Sequence, residues 1–315
     1  MTKVKLITSL GSQLAQSERW RKVKVNALLV LVTIIWGSTF LIVQQTLKLT
    51  GPFTFLAMRF GIGAMVLALI FHKRLAKITR AEIMTGSLIG LFLFATYALQ
   101  TTGLQYTTSS KAGFITGMYV PLVAILAVPL LGQKPTLSSM LGVMLSVAGL
   151  TLLSINSSFQ FTFGLGEFLV MGCAIASAMH VISISKFAPR GDAMNLALVQ
   201  IAITALLSLI AMPIAREPFV LPPLPVWGSA LFMGVAATAF ALAVMNRVQQ
   251  TVSSTQATLI YALELVWVAI LGAIAGEQLS LFAWIGCGCI LLGMVASELR
   301  LAWIMNKIRF EKRIQ

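Results

Sequence analysis

Hydrophobic runs of about twenty residues, separated by short polar breaks, follow one another along the whole chain. A helix of about twenty apolar residues spans the hydrocarbon core of a membrane. The pattern therefore predicts ten spanning helices, of which the second and fourth are short. The predicted ranges are 26–46, 53–71, 83–103, 112–131, 137–155, 165–185, 194–214, 226–246, 254–275 and 281–303. The breaks between them hold turn residues such as Gly and Pro, and none is long enough for a catalytic domain.

The second half of the chain matches the first half when it is shifted back by 144 positions. Hydrophobic bias does not explain the match, because Gly, Gln and Ser carry much of it. The matched pairs are Gly90 with Gly234, Ala95 with Ala239, Gln105 with Gln249, Thr107 with Thr251, Ser109-Ser110 with Ser253-Ser254, Gly132 with Gly276, Leu137 with Leu281, Gly142 with Gly286, and Gly149 with Gly293. Nearer the start of each half the register drifts, as unequal loop lengths would allow.

Each repeat contains five predicted helices, and an odd number makes the two repeats cross the membrane in opposite senses. We therefore predict an all-α polytopic membrane protein with ten transmembrane helices arranged as two inverted five-helix repeats. The repeats occupy residues 26–155 and 156–303, between a basic N-terminal segment, 1–25, and a basic C-terminal tail, 304–315. Inverted repeats are a transporter architecture, with a site near the midplane that is exposed alternately to the two sides.

Composition and charge agree with this membrane assignment. The chain is 58% hydrophobic and 10% charged, whereas soluble domains are about 25% charged. With the N-terminus in the cytoplasm, 19 of the 23 Lys and Arg residues face the cytoplasm, and Lys48, Lys111 and Arg216 face outward. This bias predicts a multi-pass protein of the cytoplasmic membrane with both termini cytoplasmic. Arg59 falls within the second span and is predicted to extend toward the membrane interface.

The net charge of +14 is concentrated in these loops and tails, where it would face anionic lipids. Membrane lipids are therefore predicted partners and nucleic acid is not. Cys173, Cys287 and Cys289 lie in apolar runs without metal-ligand spacing, so we predict no metal and no cofactor. Asp192 is the single Asp in the sequence, and the motifs of intramembrane proteases and ATP-driven pumps are lacking. We therefore predict that the protein is not an enzyme.

Glu264 stands near the middle of the ninth span and is the leading candidate for substrate binding. A charged side chain there costs about 2.5–3.5 kcal/mol, so it normally faces a cavity or a partner. Tyr261 and Trp267 lie three residues before and after it, and two rings around an acid suit a cation or a zwitterion. Apolar surroundings favour a neutral carboxyl, so the site could also couple to protons. The alternative is a structural hydrogen bond to a neighbouring helix.

Other polar and aromatic residues in the spans are candidates for the same site. Trp36 lies beside small residues in the first span, and Tyr97 and Gln100 form a polar patch in the third. Tyr119 precedes Pro121, which could free a backbone carbonyl. For each of these residues substrate contact and packing remain alternatives, and a lone membrane histidine such as His180 is more often a hydrogen-bonded packing residue.

A set of short motifs resembles the drug/metabolite transporter superfamily, specifically its ten-helix EamA-like exporters, over about residues 26–303. The motifs are Trp36-Gly37-Ser38-Thr39-Phe40, Arg59-Phe60, the stretch from Gly103 to Ala112, Ser253-Ser254, Glu264-Leu265-Val266 and Gly276-Glu277-Gln278. The resemblance implies transport of a small metabolite, often the export of amino acids or related compounds.

Three positions depart from the pattern of that family. Leu265 stands where Pro is common after Glu264, Val120 occupies the matching position in the first half, and Gln133 replaces a Glu. The missing Pro leaves open whether the ninth helix bends. We predict a secondary transporter that exports a small molecule, with a channel or a non-transporting scaffold as the alternative. Substrate identity, direction, coupling ion and oligomeric state are not fixed by the sequence.

Overall fold

A computed structural model of the chain describes residues 25–75, 77–107, 109–154, 164–274 and 279–298, and within these ranges the chain is helical without β-strands. Residues 1–24 of the predicted N-terminal segment, the whole C-terminal tail 304–315 and the last residues of the tenth predicted span lie outside the described ranges. Gly276-Glu277-Gln278 lies outside them too, as do the side chains of Ser109, Ser110 and Lys111.

The helices follow the predicted spans closely. In chain order they are α1 Val25–Thr46, α2 Pro52–Ile70, α3 Arg80–Gly103, α4 in two parts, Ser109–Gly117 and Tyr119–Leu131, α5 Leu137–Ser154, α6 Leu165–Phe187, α7 Ala193–Ile214, α8 Leu224–Gln249, α9 Ser254–Ile274 and α10 Leu281–Glu298. Seven of these are long and apolar enough to cross a membrane, namely α1, α2, α3, α6, α7, α8 and α9. The second helix, which we described as short, has the 19 residues that we predicted and belongs to this group, and the shorter apolar helices are α4, α5 and α10.

Helices α2 and α7 run antiparallel, and two carboxylates, Glu217 after α7 and Glu82 in α3, accept hydrogen bonds from the backbone where α2 and α7 begin. Glu217, which follows α7, accepts hydrogen bonds from the backbone N–H groups of Phe53 (2.9 Å) and Thr54 (2.8 Å) at the start of α2. At the opposite end, Glu82 accepts from the backbone N–H of Asp192, 2.8 Å away, where α7 begins. Each carboxylate satisfies N–H groups that a helix N-terminus otherwise leaves without partners.

Helices α5 and α10 cross closely at two pairs of glycines. A Cβ on Gly149 would lie 2.5 Å from the carbonyl oxygen of Gly286, and one on Gly293 would lie 2.7 Å from that of Gly142. The early residue of each helix meets the late residue of the other, so α5 and α10 are also antiparallel. These four glycines are pairs in the sequence repeat, and the absence of side chains lets the backbones approach.

Helices α3 and α8 pack against the opposite halves of the chain in the same way. A Cβ on Gly90 of α3 would lie 2.9 Å from the carbonyl oxygen of Gln200 in α7. A Cβ on Gly234 of α8 would lie 2.8 Å from the carbonyl oxygen of Arg59 in α2. Because Gly90 and Gly234 are matched in the repeat, Arg59 and Gln200 occupy equivalent positions.

Helices α4 and α9 are both broken near the middle of their length, at Met118 and Ala262. In α4 the cause is Pro121, which has no N–H to donate to the preceding turn. In α9 the break occurs although Leu265 stands where Pro was expected, and the Leu265 N–H donates to the carbonyl of Ala262 over 3.2 Å. Met118 and Ala262 are matched positions of the repeat, so the two halves break at the same place.

Candidate functional site

A central cavity lies among α1, α2, α3, α4, α6, α8 and α9. Its lining residues are Trp36, Thr39, Phe40, Val43, Phe55, Arg59, Leu93, Thr96, Tyr97, Gln100, Thr101, Leu104, Thr116, Tyr119, Ser177, His180, Val181, Leu242, Met245, Tyr261 and Glu264. Val43 is near the end of α1, Phe55 is near the start of α2, and Leu104 follows α3. The cavity therefore extends from the middle of the bundle toward the end where α1 stops and α2 starts.

The structure brings together seven of the eight residues that we predicted for the site. They are Trp36, Tyr97, Gln100, Tyr119, His180, Tyr261 and Glu264. Trp267 is placed elsewhere: its indole N–H donates to the Thr33 hydroxyl over 3.1 Å, and its Cβ packs where Gly37 of α1 lacks a side chain. Positions three before and three after Glu264 lie on either side of it around a helix, and α9 also breaks between Tyr261 and Trp267.

Arg59 lines the same cavity, and here the sequence prediction was wrong. Its side chain is 2% exposed and does not extend to the membrane interface. Its Nε donates to the hydroxyl of Thr238 over 2.8 Å and its Nη2 to the hydroxyl of Tyr97 over 3.3 Å. Its guanidinium carbon also lies 4.5 Å from the centre of the Tyr97 ring, within the range of a cation–π interaction. A charge in an apolar span was the signal, since such residues usually face a cavity.

An irregular segment of α8 supplies polar partners for two cavity residues. Residues Met233–Phe240 form a π-helix, in which each turn is wider than in an α-helix. Within it the carbonyl of Ala237 accepts a hydrogen bond from the indole N–H of Trp36, 2.9 Å away. The next residue, Thr238, accepts from Arg59. The π-helical segment thus fixes the positions of both an aromatic and a charged side chain at the cavity.

Glu264 begins the second part of α9, two residues beyond the break, and its side chain is half-buried. Among the residues that the structure describes, Glu264 has no hydrogen-bond partner, and the one ion pair within 4.0 Å joins Arg74 to Asp192. Arg59 and Glu264 therefore line one cavity without contacting each other. The cavity thus holds a guanidinium and a carboxyl group at separate positions.

Aromatic and neutral polar groups form the rest of the wall. Trp36 and Tyr261 meet edge to face with their ring centres 5.6 Å apart. Gln100 donates to the hydroxyl of Thr116 over 3.4 Å, and the Nε2 of His180 lies 2.8 Å from the amide oxygen of Gln200. The described ranges contain no group of three His, Cys, Asp or Glu side chains that could hold a metal. Charge, aromatic contact and hydrogen bonding are thus the means of recognition that this cavity offers.

Comparisons with known proteins agree with the membrane architecture. The chain is 29% identical over 296 residues to an uncharacterized transporter of Archaeoglobus fulgidus, covering 94% of this chain and 92% of that protein. It is 24% identical over 291 residues to the uncharacterized transporter YyaM of Bacillus subtilis, covering 88% and 94% of the two chains. A crystal structure with 19% identity aligns with a TM-score of 0.74 over 90% of this chain and 99% of the other, which shows a shared fold.

The sequence model of one family matches the chain twice. The description of this family is EamA-like transporter family, and the matched residues are 23–155 and 164–297. Together the two matches cover nearly all of the helical bundle and most of the cavity lining. The chain therefore belongs to the EamA-like transporter family, within the drug/metabolite transporter superfamily.

Proposed function

We propose that the protein is a secondary transporter that exports a small metabolite, an amino acid, amine or related compound, across the cytoplasmic membrane. The observation that carries the proposal is the central cavity, in which Arg59 and Glu264 face a common space among membrane-spanning helices. Isolated charges are costly inside a membrane, and their usual role there is to contact a substrate or an ion. The relatives support transport in general, because they are named as transporters.

The proposed architecture is ten spans in two inverted five-helix halves. The seven long helices and the three shorter ones, α4, α5 and α10, make five in each half. The antiparallel pairing of α2 with α7 and of α5 with α10 supports inversion, because equivalent helices then cross the membrane in opposite senses. Inverted halves let one chain adopt two conformations that are related by a pseudo-two-fold axis in the membrane plane, with the site open to either side.

The structure corresponds to the outward-facing conformation in this proposal. The excess of Lys and Arg places the end where α1 stops and α2 starts outside the cell, and the cavity extends toward that end. At the opposite end polar contacts join the loops of the two halves. Ser254 donates to the amide oxygen of Gln133 over 3.0 Å, and Arg74 pairs with Asp192 over 2.7 Å. Rocking one half on the other would separate these contacts and open the cytoplasmic side.

Glu264 is the proposed coupling residue. It is the one carboxylate among the cavity-lining residues, and the structure gives it no partner within the described ranges. A carboxyl group can bind either a proton or a cationic group of the substrate, but not both at once. Exchange of a proton for the substrate at this carboxyl would couple export to the inward flow of protons.

Counterflow in proteoliposomes tests the proposal. Purified protein is reconstituted, the vesicles are loaded with metabolites that raise its melting temperature, and uptake of labelled substrate is followed. We expect saturable counterflow that Glu264→Gln abolishes, while Lys48→Gln, which alters an exposed charged side chain outside the cavity, transports normally. Unchanged transport by Glu264→Gln would remove that residue from the mechanism. A continuous single-channel current would instead support a channel.

A further inference from the structure

We infer that Arg59 is the residue that selects the substrate, and that the transported molecule is dipolar, with a carboxylate that binds Arg59 and an ammonium group that binds Glu264. The inference rests on the proposed transport function and narrows it. It excludes simple amines, which the transport proposal admits, and it assigns binding to a residue that the sequence pattern placed at the membrane surface.

Arg59 retains unused hydrogen-bonding capacity toward the cavity. A guanidinium has five N–H groups, and within the described ranges Arg59 donates to two acceptors, both of them neutral hydroxyls. No carboxylate of the described residues lies within 4.0 Å of it. A buried cation without an anion is costly, because neutral partners replace only part of its lost hydration. An anionic group of the substrate would supply the missing charge, and a carboxylate matches the planar fork of the guanidinium.

Thr238 and Tyr97 hold the guanidinium in one orientation. Thr238 contacts Nε and Tyr97 contacts Nη2, while the Tyr97 ring lies 4.5 Å from the guanidinium carbon. The partners come from α8 and α3, so both halves of the chain fix the position of the cation. A side chain that is already ordered loses less conformational entropy when a ligand binds. This arrangement is typical of a binding residue, whereas an interfacial anchor would extend into the headgroup region.

Glu264 supplies the opposite charge at a distance that excludes a direct contact with Arg59. The two charged groups do not approach within 4.0 Å, yet both line the cavity. A molecule that bridges them must carry complementary charges at its own two sites. The aromatic rings of Trp36 and Tyr261 lie in the same wall as Glu264 and suit the ammonium group and attached hydrocarbon. A simple amine would leave Arg59 without a counter-charge, and an acid that lacks an ammonium group would leave Glu264 without a cationic partner.

Matched sets of ligands test the inference without any variant. The twenty protein amino acids are screened by thermal shift against the full chain in detergent. Each amino acid that binds is then compared with the amine that lacks its carboxylate and the acid that lacks its ammonium group. We expect the amino acid to bind about 10- to 100-fold more tightly than either analogue, because each lost contact is a hydrogen bond to a charged group. An amine that binds as tightly as its amino acid would overturn the inference, as would a screen without any binding.

Variants assign the carboxylate to Arg59. In Arg59→Gln the amino acid and its amine should bind equally, because the partner of the carboxylate is gone, and Arg59→Lys should restore part of the preference. Arg247→Gln, which removes an exposed cation at the end of α8, should keep the full preference. A retained preference in a monodisperse Arg59→Gln protein would contradict the assignment. Counterflow of amines with no preference for amino acids would refute the dipolar substrate while leaving the transport proposal intact.

Discussion

Equivalent positions in the two halves of the molecule fall into two groups. Gly90 and Gly234 each pack against the backbone of the other half, and the breaks at Met118 and Ala262 occupy matched positions. The residues that line the cavity differ between the halves. The repeat equivalent of Arg59 in α2 is Gln200 in α7. Likewise, the repeat equivalent of Glu264 in α9 is Val120 in α4.

The packing residues are thus shared by the two halves, whereas the charged residues of the cavity are not. Close backbone packing depends on small residues at fixed places, so both halves need the same residues there. A site for a dipolar molecule needs unlike charges, and each half contributes one of them. The second copies of these positions, Gln200 and Val120, stay neutral: Gln200 binds His180, and Val120 is 1% exposed. The helix packing is therefore repeated in the two halves, whereas the charged residues of the site occur once each.

The largest effects should come from two single variants at the matched positions 264 and 120, each of which introduces the residue found at the other position. Glu264→Val should reduce counterflow roughly 100-fold, since a hydrogen bond to a charged group is lost, while the melting temperature is kept or raised. Val120→Glu should destabilise the protein by about 2.5–3.5 kcal/mol, because the new carboxylate is buried without a partner. Thermal unfolding in detergent and counterflow measure the two effects. A transport-competent Glu264→Val protein would show that the asymmetry at this pair is unimportant.

The glycines of the α5–α10 crossing should respond equally in the two halves. Gly149→Ala and Gly293→Ala should each destabilise the protein by about 1–3 kcal/mol, because the added Cβ overpacks a backbone contact. Gly61→Ala and Gly288→Ala are matched controls, since a Cβ there meets nothing within 4 Å. Melting temperatures in detergent provide the measurement. If one of the two crossing variants melted like the controls, the crossing would not be symmetric.

Proline should be tolerated at the break of α9. Leu265→Pro removes one hydrogen bond, from the Leu265 N–H to the carbonyl of Ala262, and should cost about 1 kcal/mol. Ala269→Pro, one turn further into the same helix, should cost about 3 kcal/mol or more. Purification yield and thermal unfolding distinguish the two. Equal losses of stability in the two variants would mean that the break at Ala262 does not make room for a proline as the break in α4 does for Pro121.

The exposed ion pair between the halves should matter least. Asp192→Asn removes the charge that pairs with Arg74 but retains a side chain that can accept the N-cap hydrogen bonds of α7. The two partners are 53% and 37% exposed, so the change in the free energy of unfolding should stay below about 1 kcal/mol. Denaturation at low and high salt measures it. A larger loss would assign this contact a substantial part in holding the two halves together.

The length of apolar runs predicted the helices well, because the membrane requires spans of nearly fixed length. Helix α7, predicted as 194–214, is Ala193–Ile214, and α2, predicted as 53–71, is Pro52–Ile70. The sequence repeat also matched Gly142 and Gly149 with Gly286 and Gly293, which the structure brings together where α5 crosses α10, because close helix packing depends on small residues. Periodic features of the chain were thus visible without coordinates.

The direction in which individual side chains point could not be predicted in the same way. Helix α2 is apolar on nearly all sides, so its hydrophobic pattern does not show which way Arg59 points, and only the charge itself indicated a cavity. The π-helical segment of α8 and the break of α9 arise without Pro, and no residue type marks them. Trp267, which follows the break at Ala262, contacts α1 instead of the cavity. Each of these features depends on packing between the halves, which sequence spacing does not contain.

Cysteine labelling on intact cells tests the inverted arrangement most directly. The three native cysteines are replaced, and single cysteines are placed at Lys48, before α2, and at Arg190, before α7. An impermeant maleimide should label the cysteine at position 48 from outside and should reach position 190 only after the membrane is permeabilised. Labelling of both positions from the same side would mean that the equivalent helices α2 and α7 cross the membrane in the same sense, and would contradict the account.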